Sequence, residues 1–276
     1  MREVIQECTR LVLQMVEWGT NESGSYVEEG ALGESPLVSL SEENYAKIRK
    51  LEPTPGQVTE LGEEGDSVAL GRYFAMAPRG RIELYWERIG SFFWHIAADM
   101  LSDHKITAYQ LSRLAEAAVA KTALHEMFHH QADVFRVLFG NRRRFPDKKE
   151  AAFAVAASYH EVKNVGGGWH GWITVPETLQ TEFLERAYRY GALGYRDWVK
   201  YKDAKEHYAR KFEFLLRPAA FRKLRLASDP PHTGLKPFYW CGPSPLYHSS
   251  DFVDIVLLPI AKTRASIKRA TRKAAV

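Results

Sequence analysis

His125, Glu126 and His129 lie in the run His125-Glu126-Met127-Phe128-His129, and the ten residues before it, Ala115 to Leu124, contain neither proline nor glycine. On a helix, side chains four residues apart lie above one another on one face. The two imidazoles can therefore address a single point, which is what two nitrogen ligands need on a tetrahedral zinc ion. Glu126, one position after the first histidine, comes out beside such an ion rather than on it. From there a carboxylate can take a proton from a zinc-bound water and pass it to a leaving amine. The chain holds ten histidines, so the match alone is weak, and the helical context is what raises it above coincidence.

A catalytic zinc needs a third protein ligand and an open position. Glu150 leads the candidates, because it opens the next helical run after a loop short enough to fold that run back on the first. Glu161 lies three turns further along the same face with His160 beside it, and either replaces Glu150 if the second helix docks at another height. Asp133 extends the series but sits about 12 Å along the axis from His125. It reads equally as a hydrogen-bond partner orienting His129 and as a solvated acid. The one-residue offset of His130 turns it to a different face. Tyr159, His170 and the tyrosines after Phe183 are available as donors to a developing oxyanion, and each reads first as structural.

The elements that must carry these residues are partly marked. Val4, Ile5, Cys8, Leu11, Val12, Met15 and Val16 recur at helical spacing, with Gly19 as a stop. From Thr20 to Asp66 the chain is rich in Gly, Ser, Pro and Glu and reads as irregular, with a short helix from Glu42 to Leu51 capped by Ser41. Val68 to Tyr73 and Arg81 to Ile89 read as strands joined by Ala77-Pro78-Arg79-Gly80. Phe92 to Met100 is an apolar helical or linking stretch. A long helix begins near Thr107, shows Leu111, Leu114, Ala118, Val119 and Thr122 on one face, and ends by Gly140. A second starts near Asp147 and ends at Gly166-Gly167-Gly168. Pro176 to Lys211 is helical in pattern, its aromatics reading as packing residues, and one further strand is expected from Val253 to Leu258.

With the motif and its neighbourhood in view, a resemblance can be named. His125-Glu126-x-x-His129, followed by Glu150-Ala-Ala-Phe153-Ala154-Val-Ala156, resembles the zincin metallopeptidases. Within them it is similar to the gluzincins, and the pattern nearest to it is that of the ImmA/IrrE type. The resemblance spans Val68 to Glu161. It implies an α+β, zincin-like fold with a small sheet packed on an active-site helix plus additional helices. It further implies that His125, His129 and Glu150 hold Zn2+, that Glu126 is the general base, and that a peptide bond in an intracellular protein or peptide is the substrate.

Bulk properties set limits around this expectation. A hydrophobic share of 45% and a charged share of 26% are ordinary for a globular protein. Acidic residues interrupt the N-terminal apolar pattern, and no run reaches the roughly 18 apolar residues of a membrane span. Cys8 and Cys241 make no disulfide framework. The expectation is a cytoplasmic enzyme without a membrane partner. The organisation reads as an N-terminal helix and irregular segment (1–66), a zincin-like core (67–165), a helical and loop-rich part of the same domain (166–261) and a basic tail (262–276). The net charge is +4, and Lys262, Arg264, Lys268, Arg269, Arg272 and Lys273 crowd that tail. A solvated tail is favoured there over nucleic-acid contact. The alternative function is a zincin-scaffold binding protein, its zinc structural or vestigial, holding nucleic acid or an acidic partner through the tail and Arg142, Arg143 and Arg144. A zinc hydrolase with Cys241 as third ligand ranks lower, because that cysteine lies far downstream in a Pro/Gly-rich stretch.

Overall fold

Strand pairs are interspersed with helices, the longest of which carries the histidine motif. The computed structural model describes residues 1–28, 31–58, 69–75, 80–138, 147–163, 175–189, 195–201 and 253–259. Along the chain these form α1 (Arg2–Gln14), β1 (Gly19–Glu28), β2 (Ala31–Ser39), α2 (Glu42–Ile48), β3 (Gly71–Ala75), β4 (Gly80–Tyr85), α3 (Trp86–Asp103), α4 (Ala108–Leu138), α5 (Asp147–Lys163), α6 (Glu177–Ala187) and β5 (Val253–Leu258). The architecture is α+β, with small sheets and several helices. Residue 68, the loop 142–144, the glycines at 166–168, His170, Cys241, the tail 262–276 and the side chain of His160 lie outside the described residues.

Helix α4 is the axis on which the rest is assembled. Its start is a reciprocal cap: Thr107 Oγ1 accepts from the Gln110 amide at 3.2 Å, and Gln110 Oε1 accepts from the Thr107 amide at 3.0 Å. That exchange satisfies backbone donors a helix N-terminus otherwise leaves without partners. From Leu114 to Phe128 every residue of α4 is buried. The one-sided pattern expected from the sequence is thus widened to burial all round, as for a helix at the centre of a core. Ala115, Ala117, Ala118, Ala120 and Ala123 keep its girth small enough for neighbours to close in.

Residues 20–66, expected to be largely irregular, contain a hairpin instead. β1 and β2 pair antiparallel from Gly19 opposite Ser39 to Glu28 opposite Ala31, with an irregularity between Thr20 and Ser23. Their Gly-, Ser- and Glu-rich composition shows no two-residue apolar alternation, so the hydrophobic pattern did not announce them. β2 is fastened to the start of α4, where Ser35 Oγ accepts from the Tyr109 amide at 3.2 Å and the Val38 amide donates to the Ile106 carbonyl at 2.9 Å. The short helix expected after Ser41 is present as α2, with Ser41 Oγ accepting from the Asn44 amide at 3.2 Å.

The second sheet has the order β3-β4-β5, antiparallel then parallel. The strand expected over 81–89 stops at Tyr85, and Trp86 opens α3. The apolar residues that follow, Ile89, Phe92, Phe93, Ile96 and Ala97, are buried at helical rather than alternating spacing. The strand at 253–258 is where the sequence placed it. Its partner is β4, with Gly80 opposite Val253 and Tyr85 opposite Leu258.

Helix α1 packs on α3 and α4 through Ile5, Cys8 and Val12, so the N-terminal segment shares the core that holds the motif. Trp94 Nε1 donates to the Val12 carbonyl at 2.8 Å, partnering a group near the open end of α1. Burial, helped by the Glu7 charge, pushes the Cys8 thiol up to about 12. This keeps it an inert packing group. Among the described residues no helix is long and apolar enough to cross a membrane.

Candidate metal centre

Helix α5 packs against α4 and brings its first turn to the histidines. His129 Nδ1 lies 2.8 Å from Glu150 Oε1, and His129 Nε2 lies 3.2 Å from His125 Nε2. The two rings meet edge to face with centroids 4.9 Å apart. His125 is 2% exposed, Glu126 4% and Glu150 9%, so these three are withdrawn from bulk water, while His129 is partly exposed.

These distances have a chemical reading. A carboxylate only accepts, so the ring nitrogen facing Glu150 carries the proton. In its neutral form His129 would then carry its lone pair on Nε2, the nitrogen that faces Nε2 of His125. Two nitrogens bound to one tetrahedral zinc at the usual Zn–N length are about 3.3 Å apart. The observed 3.2 Å, also an ordinary hydrogen-bond distance between the rings, is close to that edge, so the pair is compatible with the ion.

The other candidates fall into place around this pair. Glu150 meets His129 at Nδ1, the nitrogen turned away from His125. Glu150 makes an orienting contact of the kind Asp133 was a candidate to make; Asp133, one turn on, is half-buried. With Glu150 docked here, Glu161 lies about 16 Å further along α5 and does not reach the histidine pair from a straight helix. Among the described residues, no group of three or more His, Cys, Asp and Glu side chains is gathered as a set of ligands. His130 faces elsewhere, as its offset required: it is 2% exposed, edge-on to Tyr73 at 5.5 Å, with Nδ1 3.4 Å from the tyrosine hydroxyl.

Three features near the pair were not foreseen. The β3–β4 hairpin lies over the motif, with Gly71 against Thr122 and Glu126 and Gly80 against His130. The sequence signal was a glycine at each end of a strand pair, legible only once the facing helix is known. Lys121, one turn before His125, is 1% exposed and holds its ammonium 5.3 Å from the ring centroids of both Phe92 and Tyr188. Its signal was a lone cation in the run Ala-Val-Ala-Lys-Thr-Ala-Leu. Tyr159, a candidate oxyanion donor, packs instead in an aromatic cluster with Tyr188 at 5.2 Å and Trp198 at 4.7 Å.

Compared with known proteins, the chain matches no family model, no curated protein and no solved structure.

Proposed function

We propose that this protein is a zinc-dependent metallopeptidase with a zincin-like core, acting on a peptide bond of a protein or peptide. The observation that carries the reading is the 3.2 Å approach of His125 Nε2 to His129 Nε2, with the Glu150 carboxylate on the far nitrogen of His129. His125 and His129 would hold the ion through those two nitrogens. Glu150 is proposed as the third ligand, a role that requires its carboxylate to give up Nδ1 of His129 for the ion. Bound zinc supplies a Lewis acid and makes water a nucleophile near neutral pH.

The chain's own residues do the rest. Glu126 sits in a dry environment one residue from His125. Its carboxylate takes up the proton released as water attacks the scissile carbonyl, then delivers it to the departing amine nitrogen. The burial of α4 around the motif fixes where these groups stand before substrate arrives, which is where most of the rate advantage of such a site originates. The resemblance to the gluzincin and ImmA/IrrE pattern rests on the same residues, His125, Glu126, His129 and Glu150.

The test is peptidase activity of the purified chain on a fluorogenic peptide library. Activity is expected to vanish with a chelator and return with zinc. Glu126→Gln is expected to keep its metal and lose turnover by a factor of about 10² or more, in line with general acid–base contributions. Full turnover in that variant would remove Glu126 from the proton-carrying role.

A further inference from the structure

Strand β3 crosses α4 at the motif, and the residue at the crossing has no side chain. A β-carbon at Gly71 would lie 3.0 Å from Thr122 Cγ2, 3.1 Å from Glu126 Cγ and 3.1 Å from the Glu83 carbonyl oxygen. Carbon atoms at rest against one another sit about 3.5–4.0 Å apart, so such an atom has no room unless a neighbour moves. Thr122 is tied by its hydroxyl, which donates to the Ala118 carbonyl at 3.2 Å. The Glu83 carbonyl belongs to the backbone of β4, in register with β3. Of these contacts, the one that bears on the candidate site is Glu126 Cγ.

We propose that Gly71 is a positioning residue for Glu126: its bare backbone lets β3 lie close over Glu126 Cγ and so bounds where the carboxylate stands beside the two histidines. The inference rests on the metallopeptidase reading and deepens it, because the sheet then acts on the proton carrier as well as walling the site. Gly80 provides the contrast. A β-carbon there would fall 2.7 Å from His130 Nδ1 and 2.7 Å from Tyr73 Cε2. It seats the other end of the same hairpin, but on a histidine that faces away from the metal pair.

The two glycines can be separated by spectroscopy. The full chain is loaded with Co2+, whose visible absorption responds to the groups around the ion, and four proteins are compared at one pH: wild type, Glu126→Gln, Gly71→Ala and Gly80→Ala. The expected result is that Gly71→Ala binds Co2+ with unchanged stoichiometry and shifts the visible bands in the direction of Glu126→Gln. Gly80→Ala lowers the melting temperature and keeps the wild-type spectrum. An unshifted spectrum in Gly71→Ala, or an equal shift in Gly80→Ala, overturns the positioning role and leaves the metal centre standing. Absence of cobalt binding in every protein removes the centre and this inference with it. If Gly71→Ala does not fold, Gly71→Ala combined with Thr122→Ser, which deletes the methyl nearest the new β-carbon, carries the same measurement.

Discussion

His129 meets Glu150 at 2.8 Å, and His104 meets Glu182 at 2.6 Å. The two pairs share a chemistry and differ in surroundings. In the first, side-chain exposures are 22% and 12%, and the ring's other nitrogen addresses a second imidazole. In the second they are 36% and 28%, the contacting nitrogen is Nε2 itself, and the carboxylate is shared with Arg186. Arg186 also reaches Asp99 at 3.5 Å and Asp103 at 3.4 Å, so that pair belongs to an ion-pair network joining α3 to α6. A histidine–carboxylate contact therefore says little alone. It becomes a candidate centre when the histidine's other nitrogen faces a second imidazole in a largely buried place.

Substitutions can break that distinction, beginning with the largest effect. His129→Ala is expected to abolish stoichiometric zinc binding, and His104→Ala to leave it intact, as read by metal analysis after dialysis. Equal zinc in both variants would erase the difference between the pairs. Glu150→Gln comes next. Loss of stoichiometric zinc is expected if the carboxylate is a ligand, as proposed, and Glu182→Gln should have no such effect. A weakening of only about 10–100-fold would assign Glu150 instead to orienting His129. The smallest effect concerns stability. Burial raises the Glu182 carboxyl, but hydrogen bonds from His104 and Arg186 outweigh it and hold it below the usual carboxylate range. A depressed carboxyl stabilises the fold above its unfolded-state value, and that stability is lost as pH falls through the folded value. Wild type should exceed Glu182→Gln by under about 1 kcal/mol near neutrality, as for a partly exposed pair. In urea titrations the gap should close on acidification; a gap that stays constant would detach Glu182 from this linkage.

Parts of this arrangement were readable beforehand for identifiable reasons. The motif helix declares itself because histidine spacing and an unbroken alanine-rich run are both local properties. The Thr107–Gln110 cap is equally local, although only a helix start near Thr107 was read from the sequence. Glu150 was legible as a neighbour of the histidines because helical periodicity gives a face and a loop length gives a return. Which ring nitrogen it meets was not, since that depends on docking height and side-chain rotation. The β1–β2 hairpin was hidden because its pairing is carried by backbone bonds and by contacts to the start of α4. Gly71 and Gly80 were hidden because what a glycine permits is written in the residues across from it.

The parallel pairing of β4 with β5 bears on how the protein must be made. One edge of β4 pairs with β3, and the other pairs with β5, with Gly80 opposite Val253, so β4 waits with that second edge open while most of the remaining chain is synthesised. Long-range parallel pairing closes slowly, and an uncovered strand edge invites pairing with another molecule. Fragments ending before Val253 would carry the histidine helix together with that open edge. Their yield in soluble form should be poorer than that of the full chain, even though every residue of the candidate centre is already present.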